Sequence, residues 1–112
     1  MLYSLYLVVP PNTPISAPIS GTLANINDIF IYRASVFLPP GCQGAVFWSL
    51  FDYENRLAPL PSGYINISEN FSVNKILVGP PRRIRLVAYN EAIDYPHTIL
   101  FTADIGDPKY AK

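Results

Sequence analysis

The segment IFIYRASVFLPPGCQGAVFWSLFD, residues 29–52, carries the clearest fold signal in the chain. It consists of two apolar runs rich in aliphatic and aromatic residues, separated by the breaker Pro-Pro-Gly at 39–41. Side chains of a strand alternate between its two faces, so Val46, Trp48 and Leu50 of the second run share one face. Such residues suit a half-buried strand, whereas proline lacks the N–H that a sheet requires. The segment therefore predicts two strands joined by a turn.

The same pattern of short apolar runs between prolines continues in both directions. Twelve prolines divide the chain, and two more Pro-Pro pairs stand at 10–11 and 80–81. No window keeps a helical period of about 3.6 residues over three turns without meeting Pro or Gly. About seven or eight short strands with turn signals between them are typical of a two-sheet sandwich. We predict a single-domain, all-β, antiparallel β-sandwich or jelly roll over residues 1–112, with a first strand at 1–9 and a polar tail at 106–112.

Alternation within each run also predicts which side chains form the core. In the run 29–38, strict alternation places Phe30 on the face of Ala34 and Ile31 on the opposite face. In the last run, from 97 to 105, every second residue is apolar. The predicted core residues are Leu5, Leu7, Val36, Val46, Trp48, Leu86 and Phe101.

Composition and charge narrow the classes of partner. Apolar residues make up 50% of the chain and charged residues only 14%, below the usual quarter, which argues against disorder and for surface that a partner covers. Eight basic and eight acidic residues leave no positive excess for binding nucleic acid. The apolar segment 2–9 is too short to cross a bilayer. Cys42 has no second cysteine to pair with, which fits a reducing compartment.

Residues that could carry catalysis or bind a metal are few. His97 is the single histidine, and the nearby Asp94 forms with it only a local Asp-x-x-His. Cys42 is more typical of a small buried side chain than of a nucleophile without a base. Polar clusters at 52–55 and 90–94 could hold Ca²⁺, but neither follows an EF-hand pattern, and loop solvation is the simpler interpretation of both. We therefore expect no enzyme activity, no cofactor and no metal site.

The first strand predicts a contact between chains. Tyr6 and Val8 share one face with Leu2, and the opposite face is also apolar. No charged residue occurs before Asp28, so the strand lacks the charges that ordinarily protect a sheet edge. We expect a homo-oligomer or a packed array with Leu2, Tyr6 or Val8 at or near the contact.

Tyrosines in predicted loops support an alternative function. Tyr53, Tyr64 and Tyr95 fall between the predicted strands. Loop tyrosines give contact area at low entropic cost and suit stacking on sugars or contacts with proteins. The alternative is therefore a carbohydrate-binding β-sandwich module with these three tyrosines as a stacking platform, although they could equally cap the ends of the sandwich.

Five short motifs lie along the chain: VPPNTP at 9–14, FLPPGCQG at 37–44, LAPL at 57–60, AYNE at 88–91 and YPHT at 95–98. Together they resemble a family of small, uncharacterised proteins encoded by tailed phages and prophage-like regions. The resemblance implies a virion component and supplies no catalytic residues. We therefore expect a capsid surface, decoration or tail-associated subunit that assembles in the host cytoplasm. Its expected partners are other virion proteins or copies of itself, and neither nucleic acid nor a membrane.

Overall fold

A computed structural model describes residues 2–26, 28–41, 44–60, 62–77 and 82–106 of the chain. Within these residues the chain forms eight β-strands and no helix. The strands are β1 Leu2–Val9, β2 Ile19–Ile26, β3 Phe30–Phe37, β4 Val46–Asp52, β5 Asn55–Ala58, β6 Glu69–Ile76, β7 Arg82–Asn90 and β8 His97–Gly106.

The strands form two antiparallel sheets of four strands each. Sheet A has the order β1-β8-β3-β6 and sheet B the order β2-β7-β4-β5. The first strand pairs with the last, the second with the seventh, the third with the sixth and the fourth with the fifth. This is the arrangement of a long hairpin rolled into two facing sheets, which is a jelly roll. The predicted fold class is therefore confirmed.

The core lies between the inner faces of the two sheets, and Trp48 and Phe101 are its largest fully buried side chains. The indole Nε1 of Trp48 donates a hydrogen bond to the carbonyl oxygen of Ile67 at 3.0 Å, so its polar atom is satisfied. Leu5 is partly buried and packs against the core. The predicted core is confirmed, because its other six members are all buried: Leu7, Val36, Val46, Trp48, Leu86 and Phe101.

A β-bulge in β3 overturns one predicted face. The register of β3 shifts between Ile31 and Arg33 against both neighbouring strands. Ile31 and Ala34 are consequently both buried, although strict alternation puts them on opposite faces. An extra residue in a bulge reverses the phase of the side chains beyond it. The prediction that Ile31 and Ala34 face opposite ways was therefore wrong.

Buried Asn90 joins three segments at one end of the sandwich. Its Nδ2 donates to the carbonyl oxygens of Val9 and Tyr95, each at 3.1 Å. Its Oδ1 accepts from the backbone N–H of Ala92 at 2.9 Å, and its own N–H donates to Thr13 at 3.0 Å. The side chain thus ties the end of β1 to the β7–β8 loop, while the backbone holds the β1–β2 loop.

Candidate functional site

Strand β1 is a regular edge of sheet A. It pairs on one side with β8, without a register shift, from Leu2 opposite Asp104 to Val9 opposite His97. It contains no charged residue and no proline. An edge strand presents a row of backbone donors and acceptors to its open side, and a long, flat, apolar one favours pairing with another chain.

The other three described edges are less regular. β2 shifts register against β7 between Leu23 and Ile26. β6 shifts register against β3 and carries the charged residues Glu69 and Lys75. β5 is only four residues long. Bulges, charges and short length are the usual protections of an edge, so among the described strands β1 is the edge that lacks them.

Exposed apolar side chains lie on the outer face of β1. Leu2 and Tyr6 are each 70% exposed and Val8 is 56% exposed. Tyr6 lies opposite Leu100 of β8, which lies opposite Phe37 of β3, itself 51% exposed. We call Tyr6, Val8, Phe37 and Leu100 the apolar patch. The structure thus exposes all three residues of the predicted contact, while the contact itself stays a prediction.

The same face becomes polar beyond the apolar patch. The hydroxyl groups of Ser35 and Thr102 share a hydrogen bond between β3 and β8. Two residues further along the same face, Arg33 lies opposite Asp104. A cavity of about 370 Å³ extends over this region and reaches Asn70 of β6. An apolar centre with a polar rim is the usual anatomy of a protein–protein interface.

The three loop tyrosines are not brought together. Tyr95 is exposed at the end of the sandwich where Asn90 binds its carbonyl oxygen. Tyr53 lies in the β4–β5 turn at the other end of β4. Tyr64 packs edge-on against Tyr89, with ring centroids 4.9 Å apart. A single stacking platform made of Tyr53, Tyr64 and Tyr95 is therefore not present.

Arginines and aromatic rings alternate on the outer face of sheet B. The guanidinium groups of Arg56 and Arg85 lie 4.8 Å and 5.1 Å from the ring centroid of Phe51. The Nη1 of Arg56 also donates to the carbonyl oxygen of Gly63 at 2.7 Å. A cavity of about 250 Å³ is lined in part by Arg83 and Arg85. The period-two spacing of Arg83 and Arg85 in the sequence is the signal that their side chains share one face of β7.

Two tyrosine hydroxyls have raised pKa values. Partial burial raises the pKa of Tyr89, and the negative charges of Glu91 and of the ionised Tyr64 hydroxyl add to the shift. Partial burial also raises the pKa of Tyr3, followed by the charge of Asp28 and by the hydrogen bond that the Tyr3 hydroxyl donates to it at 3.4 Å. Both groups thus favour their neutral form in the folded protein.

The residues considered for catalysis and metal binding are not assembled into a site. The His97 side chain is partly exposed at the start of β8 and makes no hydrogen bond or ion pair with any described residue. The amide of Asn90 is occupied by backbone groups. No group of three or more His, Cys, Asp or Glu residues in the described ranges could hold a metal ion. Cys42 and residues 107–112 of the predicted tail lie outside the described residues. Gly106, predicted to begin the tail, is instead the last residue of β8, where it lies opposite Phe30.

The described part of the chain contains no helix that is long and apolar enough to cross a membrane. No protein-family model, no curated protein and no solved structure matches the chain.

Proposed function

We propose that the chain is a non-enzymatic structural subunit of a virion, at the capsid surface or in the tail, and that its copies associate through β1. The observation that carries the proposal is the regular, uncharged edge of β1 with Leu2, Tyr6 and Val8 exposed beside it. A protein that stays monomeric ordinarily protects such an edge with Lys, Pro or a bulge. The missing protection is expected where a second chain covers the strand.

The partner is a second copy whose own β1 runs antiparallel to the first. Such a pair continues sheet A from one copy into the next through main-chain hydrogen bonds. The contact is related by a two-fold axis, so each copy contributes the same residues. The absence of charge from β1 means that two copies meet without like-charge repulsion. The apolar patch, next to the shared edge, adds burial of Tyr6 and Val8.

The assignment to a virion has separate support. Jelly rolls of eight strands are common in viral capsids, which is an argument by analogy of fold. The motifs that resemble proteins of tailed phages and prophage-like regions point the same way. Assembly then takes place in the host cytoplasm, and the subunit acts by shape and contact. Mass spectrometry of particles purified from cells that encode the chain tests this assignment, and absence of the chain from the particles contradicts it.

Sedimentation velocity of an edge variant tests the association. We expect the double variant Tyr6→Lys, Val8→Lys to remain folded by circular dichroism and to sediment as a monomer, because two lysines on each β1 repel across the two-fold axis. The matched control is the double variant Ile76→Lys, Ile93→Lys, which places lysines at two other exposed apolar positions. The control is expected to sediment like the wild type.

Two results would contradict the proposal. A wild type that stays monomeric at its highest soluble concentration shows that β1 does not bind a second copy. Equal dissociation of the edge variant and the control shows that general surface charge, rather than β1, governs association.

A further inference from the structure

A cavity of about 250 Å³ lies at the end of sheet B, beside the β4–β5 turn. Thr22 of β2 and Arg85 of β7 lie opposite each other in the sheet and form one wall with Arg83. Tyr53 and Glu54 of the turn form the other wall. The cavity uses no residue of β1, so it is independent of the association proposed above.

The cavity has an excess of positive charge. Arg83 and Arg85 are two positions apart on one strand, so their side chains lie on the same face. Neither forms an ion pair with a described carboxylate, and Arg85 is held near the Phe51 ring together with Arg56. The lining of the cavity contains these two guanidinium groups and one carboxylate, that of Glu54. A guanidinium group forms short, charge-assisted and often bidentate hydrogen bonds with a carboxylate, so the wall suits a ligand that carries one.

The β4–β5 turn contributes an aromatic side chain, that of Tyr53, from a strained backbone conformation. Tyr53 has a φ of 54°, in the left-handed region that bulky residues rarely adopt. This conformation is strained for a residue with a Cβ. Strained residues of this kind concentrate at ligand sites. The aromatic ring of Tyr53 gives the cavity a flat surface on which a sugar ring can stack.

We infer that this cavity binds an acidic sugar, a single monosaccharide residue that carries a carboxylate. Arg83 and Arg85 bind its carboxylate, and Tyr53 contacts its ring. The hydroxyl of Thr22 and the carboxylate of Glu54 supply a donor and an acceptor for the sugar hydroxyls. The volume lies just below the roughly 300–1,000 Å³ of sites for drug-sized ligands, which suits one sugar residue. The carboxylate of Glu54 can accept hydrogen bonds from sugar hydroxyls. It would repel the closely spaced carboxylates of an acidic peptide.

Titration of the isotope-labelled protein with methyl glucuronide, followed by NMR, tests the inference. We expect saturable shifts confined to the amides of Thr22, Tyr53, Glu54, Arg83 and Arg85. Arg83→Gln and Arg85→Gln should each weaken binding about tenfold or more, as expected for loss of a charge-assisted hydrogen bond. Arg33→Gln on the outer face of sheet A removes the same charge and should leave the affinity unchanged.

A further variant separates binding from folding. Tyr53→Gly relieves the left-handed strain, so it should keep the fold while it weakens binding of methyl glucuronide. Full affinity in Tyr53→Gly would overturn the role of the tyrosine ring.

Three other ligands complete the test. Neutral methyl glucoside lacks the carboxylate, acetate lacks the sugar ring, and an oligoglutamate peptide offers carboxylates on a peptide. Each is expected to bind more weakly than methyl glucuronide. If methyl glucoside binds as tightly as methyl glucuronide, the arginines do not bind the carboxylate. If acetate or the peptide binds as tightly, the cavity is not specific for a sugar. Absence of any binding overturns the whole inference, while the sedimentation of the edge variant stays unaffected by every one of these results.

Discussion

At the scale of single residues, the side chain of Asn90 makes three hydrogen bonds to backbone groups, so its removal is informative. Asn90→Ala leaves the carbonyl oxygens of Val9 and Tyr95 and the N–H of Ala92 without their partner. We expect the free energy of unfolding to fall by about 1–3 kcal/mol, the cost of leaving buried polar groups unsatisfied. Urea melting measures the loss. Exposed Asn70→Ala is the control, and an equal loss in both variants would show that the network contributes nothing.

Trp48 tests whether alternation assigned the core correctly. It is fully buried, and Trp48→Ala removes its packing and the hydrogen bond to Ile67. Denaturant melting should show a loss of about 3–5 kcal/mol, as for other large-to-small core changes. Tyr95→Ala, at an exposed position, should change stability by less than about 0.5 kcal/mol. A loss below about 1 kcal/mol for Trp48→Ala would mean that the ring is not part of the packed core.

The two raised tyrosine pKa values predict a loss of stability at alkaline pH. Tyr3 and Tyr89 have folded pKa values above 10.0, so the folded state holds their protons more tightly than the unfolded chain. Their contribution is complete below about pH 10 and is lost as the pH rises through the folded pKa values. Melting from pH 9 to 12 should therefore show a decline that is flatter in the double variant Tyr3→Phe, Tyr89→Phe. Identical slopes would contradict the assignment.

At the scale of elements, proline pairs and alternation predicted the number of strands and most of their faces. The bulge in β3 escaped prediction because an extra residue in a ladder has no signature in composition. The position of β1 at a sheet edge could not be predicted either, because it depends on the pairing of all the strands and not on the sequence of β1 alone. The cavity was missed for the same reason, because Thr22, the β4–β5 turn and Arg83 meet only after β2, β4 and β7 have paired.

The packing of β1 on β2 depends on Gly21. A Cβ at this position would lie 3.0 Å from Leu5 Cδ2 and 3.3 Å from Leu7 Cδ1. Gly21→Val should overpack the contact and cost about 1–3 kcal/mol, whereas the flexible leucine ends make room for the single methyl of Gly21→Ala. Thermal melting measures both.

The control and a second variant decide what a loss at Gly21 means. Gly41→Val has open space around its Cβ and should show no overpacking. Combining Gly21→Val with Leu5→Ala should cost less than the sum of the two single changes, because one makes room for the other. Strict additivity would show that Leu5 does not limit the space at Gly21.

At the scale of the whole molecule, the distribution of charge predicts how salt affects association through β1 and sugar binding in the arginine-lined cavity. The formal net charge is zero and β1 is uncharged, so association through β1 has little electrostatic component. Raising NaCl from about 0.05 to 0.5 M should change its dissociation constant by less than about threefold, whereas binding of methyl glucuronide at the arginines should weaken clearly through screening. Sedimentation and NMR titration measure the two effects. Strong salt dependence of association would show that charged groups make the contact.

The position of the cavity on the outer face of sheet B has a consequence for binding strength. An antiparallel pair of β1 strands has its two-fold axis perpendicular to sheet A, so both copies present their sheet B cavities to the same side. Two weak sites on one rigid dimer can bind two separate sugars of one polymer, and such bivalency can raise the apparent affinity by about 10²–10⁴-fold without any new contact. An array of such dimers would then bind stably to a surface of acidic glycans, from which a single domain would dissociate rapidly.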